Sequence, residues 1–202
     1  MRRSRQWYIK QFKKLLEKID VNAEEFFEAA VKIALRFLRR EITFDEFVDQ
    51  IIDLIYKSLE KTMALTLAEL RKIYSKLQDI KEELKNMTFS EDGKTLEERI
   101  YNICQELYYD HISKEMFIYR LCLIFHNENR YLYQKIKQKA MPSAGLVVFF
   151  GCSCDKCSQD SRVYPYNEVP AWPPFHVNCS GDWFEVETDD ADDIHDLDLK
   201  TE

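Results

Sequence analysis

Large apolar residues return at three- and four-residue steps from the start of the chain. Trp7, Phe12, Leu15, Leu16 and Ile19 share one face of a first helix. A second helix is expected from about Ala23 to Arg39, with Asn22 as N-cap, Glu25 three residues on, and an apolar face of Phe26, Phe27, Ala30, Ile33, Ala34, Phe37 and Leu38. Thr43 and Glu46 have capping-box spacing, and Ile42 and Phe47 are placed as a hydrophobic staple around them. The helix that follows meets no proline or glycine before about Met87. Because that is long for a globular helix, a break is expected near Thr62–Thr66.

Ser90-Glu-Asp-Gly93-Lys has the composition of a surface turn. Thr95 and Glu98 repeat the capping-box spacing and open a helix through Tyr108. Ser113 caps another, which runs to about Lys139 and stops at Met141-Pro142-Ser-Ala-Gly145. Ile42-Thr-Phe-Asp-Glu-Phe47 and Ile112-Ser-Lys-Glu-Met-Phe117 echo one another, and two independently capped helices suffice to explain that. Beyond Gly145 the pattern changes. Leu146-Val-Val-Phe-Phe150 is a short continuous apolar run, which suits a buried strand, with Val163-Tyr164 and Trp183–Val186 as its candidate partners. The pattern predicts an α+β, predominantly α fold, organised as a helical domain (1–140), a small strand-containing domain (141–188) and an acidic tail (189–202) expected to be disordered.

Composition refines this picture. Of 202 residues, 46% are hydrophobic and 32% charged, and only four are glycine, which favours long helices. The net charge of −7 is unevenly distributed. Nine acidic residues face one lysine between Glu185 and Glu202. In the first eighteen positions Arg2, Arg3, Arg5, Lys10, Lys13, Lys14 and Lys18 are opposed by Glu17 alone. No apolar run approaches the roughly 20 residues that span a bilayer. The arginines near the start lead into an amphipathic pattern and not into a signal-peptide core.

The candidate chemistry is concentrated after β-like Leu146–Phe150. Cys154 and Cys157 form a C-x2-C pair; after eighteen intervening residues His176 and Cys179 form H-x2-C. Two thiolates on one tight turn can reach a single tetrahedral Zn2+, and the second pair supplies the other half of its shell. Cys152 is a rival to Cys154 as first ligand. A thioredoxin-like pair would need a helix opening after the second cysteine, where Ser158-Gln-Asp-Ser-Arg162 is a poor one. A cysteine–histidine nucleophile is possible on residue types, but no glycine cluster or helix start lies beside it. Cys104 and Cys122 fall within helical apolar patterns as core thiols. His111, His126 and His195 suit solvent-facing or core-edge positions. The aspartate-rich tail lacks the glycine and spacing of a calcium loop, and phosphate-cradling glycine loops are absent. No catalytic constellation is evident.

Cys154-Asp-Lys-Cys157 followed by Val163-Tyr164-Pro165, then Pro173-Pro174-Phe-His176-Val-Asn178-Cys179, resembles the C-terminal signature of phage head morphogenesis proteins, the Mu F-like minor capsid proteins of tailed viruses. The family's arginine and cysteine after the last ligand are Ser180-Gly181 here. Its proline after the histidine is Val177, and its glycine before the valine is replaced by Ser161-Arg162. The resemblance covers about Leu146 to Trp183, and a helical region before the motif is similar to the family as well. It implies a virion protein at the portal or inner capsid surface, acting in head morphogenesis or genome delivery, with structural Zn2+ on Cys154, Cys157, His176 and Cys179. Portal or capsid proteins are then the expected partners, packaged DNA is a further one for the basic N-terminal helix, and an oligomer is possible. The expected location is the virion, with host cytoplasm during assembly. Two other readings are a cellular zinc-knuckle module binding a protein or nucleic acid, and a thiol-dependent enzyme. Asp155, Asp160, Glu168, Asp182 and Glu185 argue against DNA contact at the knuckle itself.

Overall fold

The computed structural model describes residues 5–73, 93–141, 146–150, 163–169 and 182–186. The chain is predominantly helical. Four helices, α1 (Arg5–Leu38), α2 (Phe44–Ile73), α3 (Leu96–Tyr108) and α4 (Lys114–Ala140), precede three short strands, β1 (Leu146–Phe150), β2 (Val163–Pro165) and β3 (Asp182–Val186).

Two boundaries differ from the sequence pattern. Asn22 caps nothing: α1 is continuous across it for 34 residues, about 51 Å at the usual rise. Nothing between Ile19 and Ala23 breaks a helix, and the Asn22 side chain is buried and bonded across to α2. The break expected at Thr62–Thr66 is also absent, because α2 runs unbroken through it. Both threonines face inward, and Thr66 Oγ1 donates to the Thr62 carbonyl at 2.7 Å, so these polar groups are satisfied inside a regular helix. The reach from Ile73 to Met87 lies outside the described residues.

The other helix starts follow their caps. The Thr43 amide donates to the Glu46 carboxylate at 2.8 Å and the Glu46 amide to Thr43 Oγ1 at 3.3 Å. Thr95 and Glu98 form the same reciprocal pair, and Ser113 Oγ accepts from the Met116 amide at 3.1 Å.

The helices form two antiparallel hairpins, α1–α2 and α3–α4, whose turns are the same structure 70 residues apart. Arg40 and Asp110 both take positive φ, 62° and 54°. The Arg40 amide donates to the Phe37 carbonyl and that of Glu41 to Arg36; likewise Asp110 donates to Leu107 and His111 to Glu106. These are the paired bonds of a Schellman ending, with an arginine and an aspartate where glycine usually stands. The equivalence extends into the core. Ala30 and Ile100, Ala34 and Cys104, Phe47 and Phe117, Ile51 and Leu121, and Ile55 and Phe125 are all buried in one cluster. Phe47 and Phe117 touch each other, centroids 5.8 Å apart, so these equivalents meet across a pseudo-twofold axis between α2 and α4. α1 packs against both of those helices on one side and α3 on the other.

The strands form an antiparallel sheet of order β2-β1-β3. It is fastened to the bundle at the end away from the hairpin turns. β3 touches α1, and Tyr166 Oη, in a short 3-10 turn after β2, donates to the Gln138 carbonyl of α4 at 2.6 Å. Val147 and Trp183 are buried, and Tyr164 meets the Trp183 ring edge-on at 5.6 Å.

Candidate metal centre

Cys154, Cys157, His176 and Cys179, with the rival Cys152, lie outside the described residues. The sheet that brackets them is described, and its register bears on whether they can meet. Phe150, the last residue of β1, pairs with Asp182, the first of β3. Val148 pairs with Val163, the first residue of β2. The C-terminal end of β1 and the N-terminal ends of β2 and β3 therefore lie at one end of the sheet. The chain leaves that end toward Cys154, four residues after Phe150, and returns to it at Val163, six after Cys157. It arrives there again at Asp182, three residues after Cys179.

The distances are short enough. Neighbouring strands stand about 4.8 Å apart. Four residues span at most about 14 Å, and three about 11 Å. Each pair can thus reach a common point beyond the sheet end, and nothing in the strand register holds the pairs apart. The residue types suit tetrahedral zinc. Strands of five, three and five residues bury little surface of their own, so such a unit profits from a metal.

Among the described residues, no group of three or more histidine, cysteine or acidic side chains is arranged to hold a metal ion. The remaining described thiols are unsuited to nucleophilic work. Burial pushes the Cys104 thiol up to about 12, and burial, then the nearby Glu24 charge, raises that of Cys122. Cys104 is a core thiol; Cys122 is half-buried at the α4–α1 seam. His126 Nε2 lies 3.1 Å from Glu24 Oε2 in the same seam, and His111 is exposed beside the Tyr109 ring. His195 lies outside the described residues.

On the basic N-terminal helix, Lys10, Lys13, Lys14 and Lys18 are exposed, and Lys18 Nζ is held by Glu69 at 3.0 Å. A shallow groove of about 400 Å3 runs there between α1 and α2, lined by Lys14, Lys18, Val21, Lys61 and Leu65 among others. Arg2 and Arg3 lie outside the described residues. No helix is long and apolar enough to cross a membrane among those described.

A polar seam runs inside the bundle, which helical periodicity alone does not predict. Asn22, Ser58, Thr62 and Asn129 are buried and mutually bonded. Asp20 receives two bonds of 2.9 Å from Arg130, and the buried Glu128 pairs with Arg99. A sequence signal existed: Ser58, Thr62 and Thr66 recur at four-residue steps on the buried face of α2.

No family model, curated protein or solved structure matches the chain.

Proposed function

We propose that this chain is a structural and assembly protein of a tailed-virus particle, working at the portal or inner capsid surface in head morphogenesis or genome delivery. Its C-terminal sheet and loops form a zinc knuckle in which Cys154, Cys157, His176 and Cys179 hold one structural Zn2+. The observation that supports the metal reading is the strand register: Phe150, Val163 and Asp182, the strand residues nearest the two pairs in sequence, share one end of the β2-β1-β3 sheet. The head-protein reading rests on the loop residues between and around those pairs, Val163-Tyr164-Pro165 and Pro173-Pro174 with Asn178, together with a helical region ahead of them. The zinc gives the small sheet stability that its own area cannot, on the order of 10 kcal/mol in apparent terms for such sites. The bundle offers long helices for packing against portal or capsid helices. The exposed lysines of α1 suit packaged DNA, whose phosphates favour clustered cations.

Metal analysis of the purified full chain should give one zinc per molecule. Cys157→Ser and His176→Ala should each lose it, while the far-ultraviolet helical signal persists because the bundle core lies on other residues. A metal-free wild type with a reactive thiol would sink the zinc reading. The head-protein role is tested separately, by whether genes for portal and terminase adjoin this one and whether purified particles contain the chain. Particles without it would refute that role even if zinc is found.

A further inference from the structure

Two hairpins with equivalent cores raise a problem that one chain must solve. If the first hairpin buries the same face as the second, two copies can pair hairpin 1 with hairpin 1, or hairpin 2 with hairpin 2, through the same apolar contacts. The axis-spanning Phe47–Phe117 contact shows that equivalent residues already meet across this interface. Apolar packing alone does not discriminate between these partners, because it is non-directional.

The equivalence stops at one layer, and that layer is polar. Seventy residues on from Ser58, Leu59 and Thr62 stand Glu128, Asn129 and Leu132. Hairpin 1 therefore supplies two hydroxyls where hairpin 2 has a carboxylate and a leucine; hairpin 2 supplies an amide where hairpin 1 has Leu59. The bonds between them are specific. Thr62 Oγ1 donates to Asn129 Oδ1 at 2.5 Å, and Asn129 Nδ2 donates to Ser58 Oγ at 2.9 Å and to the Phe125 carbonyl at 2.7 Å. From within hairpin 1, Asn22 Nδ2 donates to Thr62 Oγ1 and to the Ser58 carbonyl, both at 2.9 Å. All four side chains are at most 1% exposed.

We propose that the Asn22–Ser58–Thr62–Asn129 layer selects hairpin 1 to pair with hairpin 2 and excludes pairing between like hairpins of two chains. A hairpin 1 pair has no Asn129, so the Thr62 hydroxyl proton loses its acceptor and Ser58 Oγ keeps only the longer 3.4 Å bond from Asn22 Nδ2 in a dry interior. A hairpin 2 pair sets Glu128 against a second Glu128 in the place Ser58 occupies, with two buried Asn129 amides deprived of both hydroxyls. Each stranded buried group lowers the pairing constant roughly ten- to a hundredfold. A single buried asparagine sets partner choice in coiled coils by the same means.

The test uses the full chain. Equal amounts of light- and heavy-isotope protein are unfolded together, refolded, and treated with an amine-reactive cross-linker. Lys57 and Lys61 are exposed on α2, and a link from either residue to itself, carrying both isotopes, reports two chains whose α2 helices lie together, as pairing through hairpin 1 requires. Wild type should give none. Asn22→Leu/Ser58→Ala/Thr62→Val/Asn129→Leu, which leaves an apolar layer, should give self-links together with a dimer population at least about tenfold above wild type by light scattering. Ile51→Val/Leu121→Val, which loosens the core elsewhere, should give neither. Should the fourfold variant fail to fold, Leu59→Asn decides: it keeps all native partners and gives hairpin 1 both halves of the layer, so self-links should appear. Folded variants that remain free of self-links would overturn the proposal and reduce the layer to a stabilising contact.

Discussion

Phe47 stacks on Phe37 with 4.4 Å between centroids and tilts against Phe117 on the far side, so one side chain joins the first turn to the second hairpin. Aromatic pairs of this kind add about 0.5–1.5 kcal/mol beyond the area they bury. Phe47→Ala and Phe117→Ala should each cost about 3–5 kcal/mol in urea unfolding. Because the two rings touch, the double variant should lose measurably less than the sum; strict additivity would mean that the rings act independently. Lys137 is a different case. Its ammonium is fully buried and sits 3.9 Å from the Phe12 ring centroid, so its alkyl stem and cation both contribute to joining α4 to α1.

At the scale of elements, the two hairpin turns repeat one solution with different chemistry. Each ends its first helix on a residue with positive φ and starts its second with a hydroxyl cap. An arginine pays more for that backbone than an aspartate, whose short polar side chain tolerates it better. Replacement by glycine should therefore stabilise both turns, by about 1 kcal/mol at Arg40→Gly and by less at Asp110→Gly. Thermal melts check the order; equal or inverted effects would show that side-chain contacts, such as the pairing of Arg39 with Glu41 beside the first turn, outweigh backbone strain.

For the whole molecule, acid stability follows from carboxylates held by neighbouring side chains, on the same helix and on other elements. Lys72, then Lys18, hold the Glu69 carboxyl below its ordinary value of 4.5, and the Tyr56 hydroxyl does the same for Glu97, joining α2 to α3. Each has a folded pKa below its unfolded one, so its contribution is present above about pH 4.5 and is lost as pH falls through the lower folded value. Unfolding free energy should drop on acidification through that window, and Glu69→Gln/Glu97→Gln should flatten the slope. An unchanged slope would place the acid sensitivity elsewhere. Solvent screens Glu69 and Glu97, so the effect is modest.

Periodicity and caps determined much by themselves. The start of α2 at Thr43, the start of α3 at Thr95, the start of α4 at Ser113 and the stretch that forms β1 all follow from local rules, because a capping hydroxyl or a β-branched run acts on its own neighbours. The spacing of Cys154, Cys157, His176 and Cys179 suggests a zinc site, but those residues lie outside the described ones. What local rules missed were groups whose partners are distant in sequence. Asn22 has the side chain of a cap, yet its partners stand 36 and 40 positions away on α2, and burial there outweighs the local preference. Thr62 and Thr66 read as a weak point in a long helix, and tertiary contacts make Thr62 part of its most specific junction. The echo between Ile42–Phe47 and Ile112–Phe117 was visible, but only the packing showed that it belongs to two equivalent hairpins. Sequence similarity fades at every exposed position, whereas a shared core face fixes only which positions are buried. Tertiary structure also decided that the C-terminal end of β1 and the N-terminal ends of β2 and β3 share one end of one sheet, since strand register depends on residues that lie far apart in the chain.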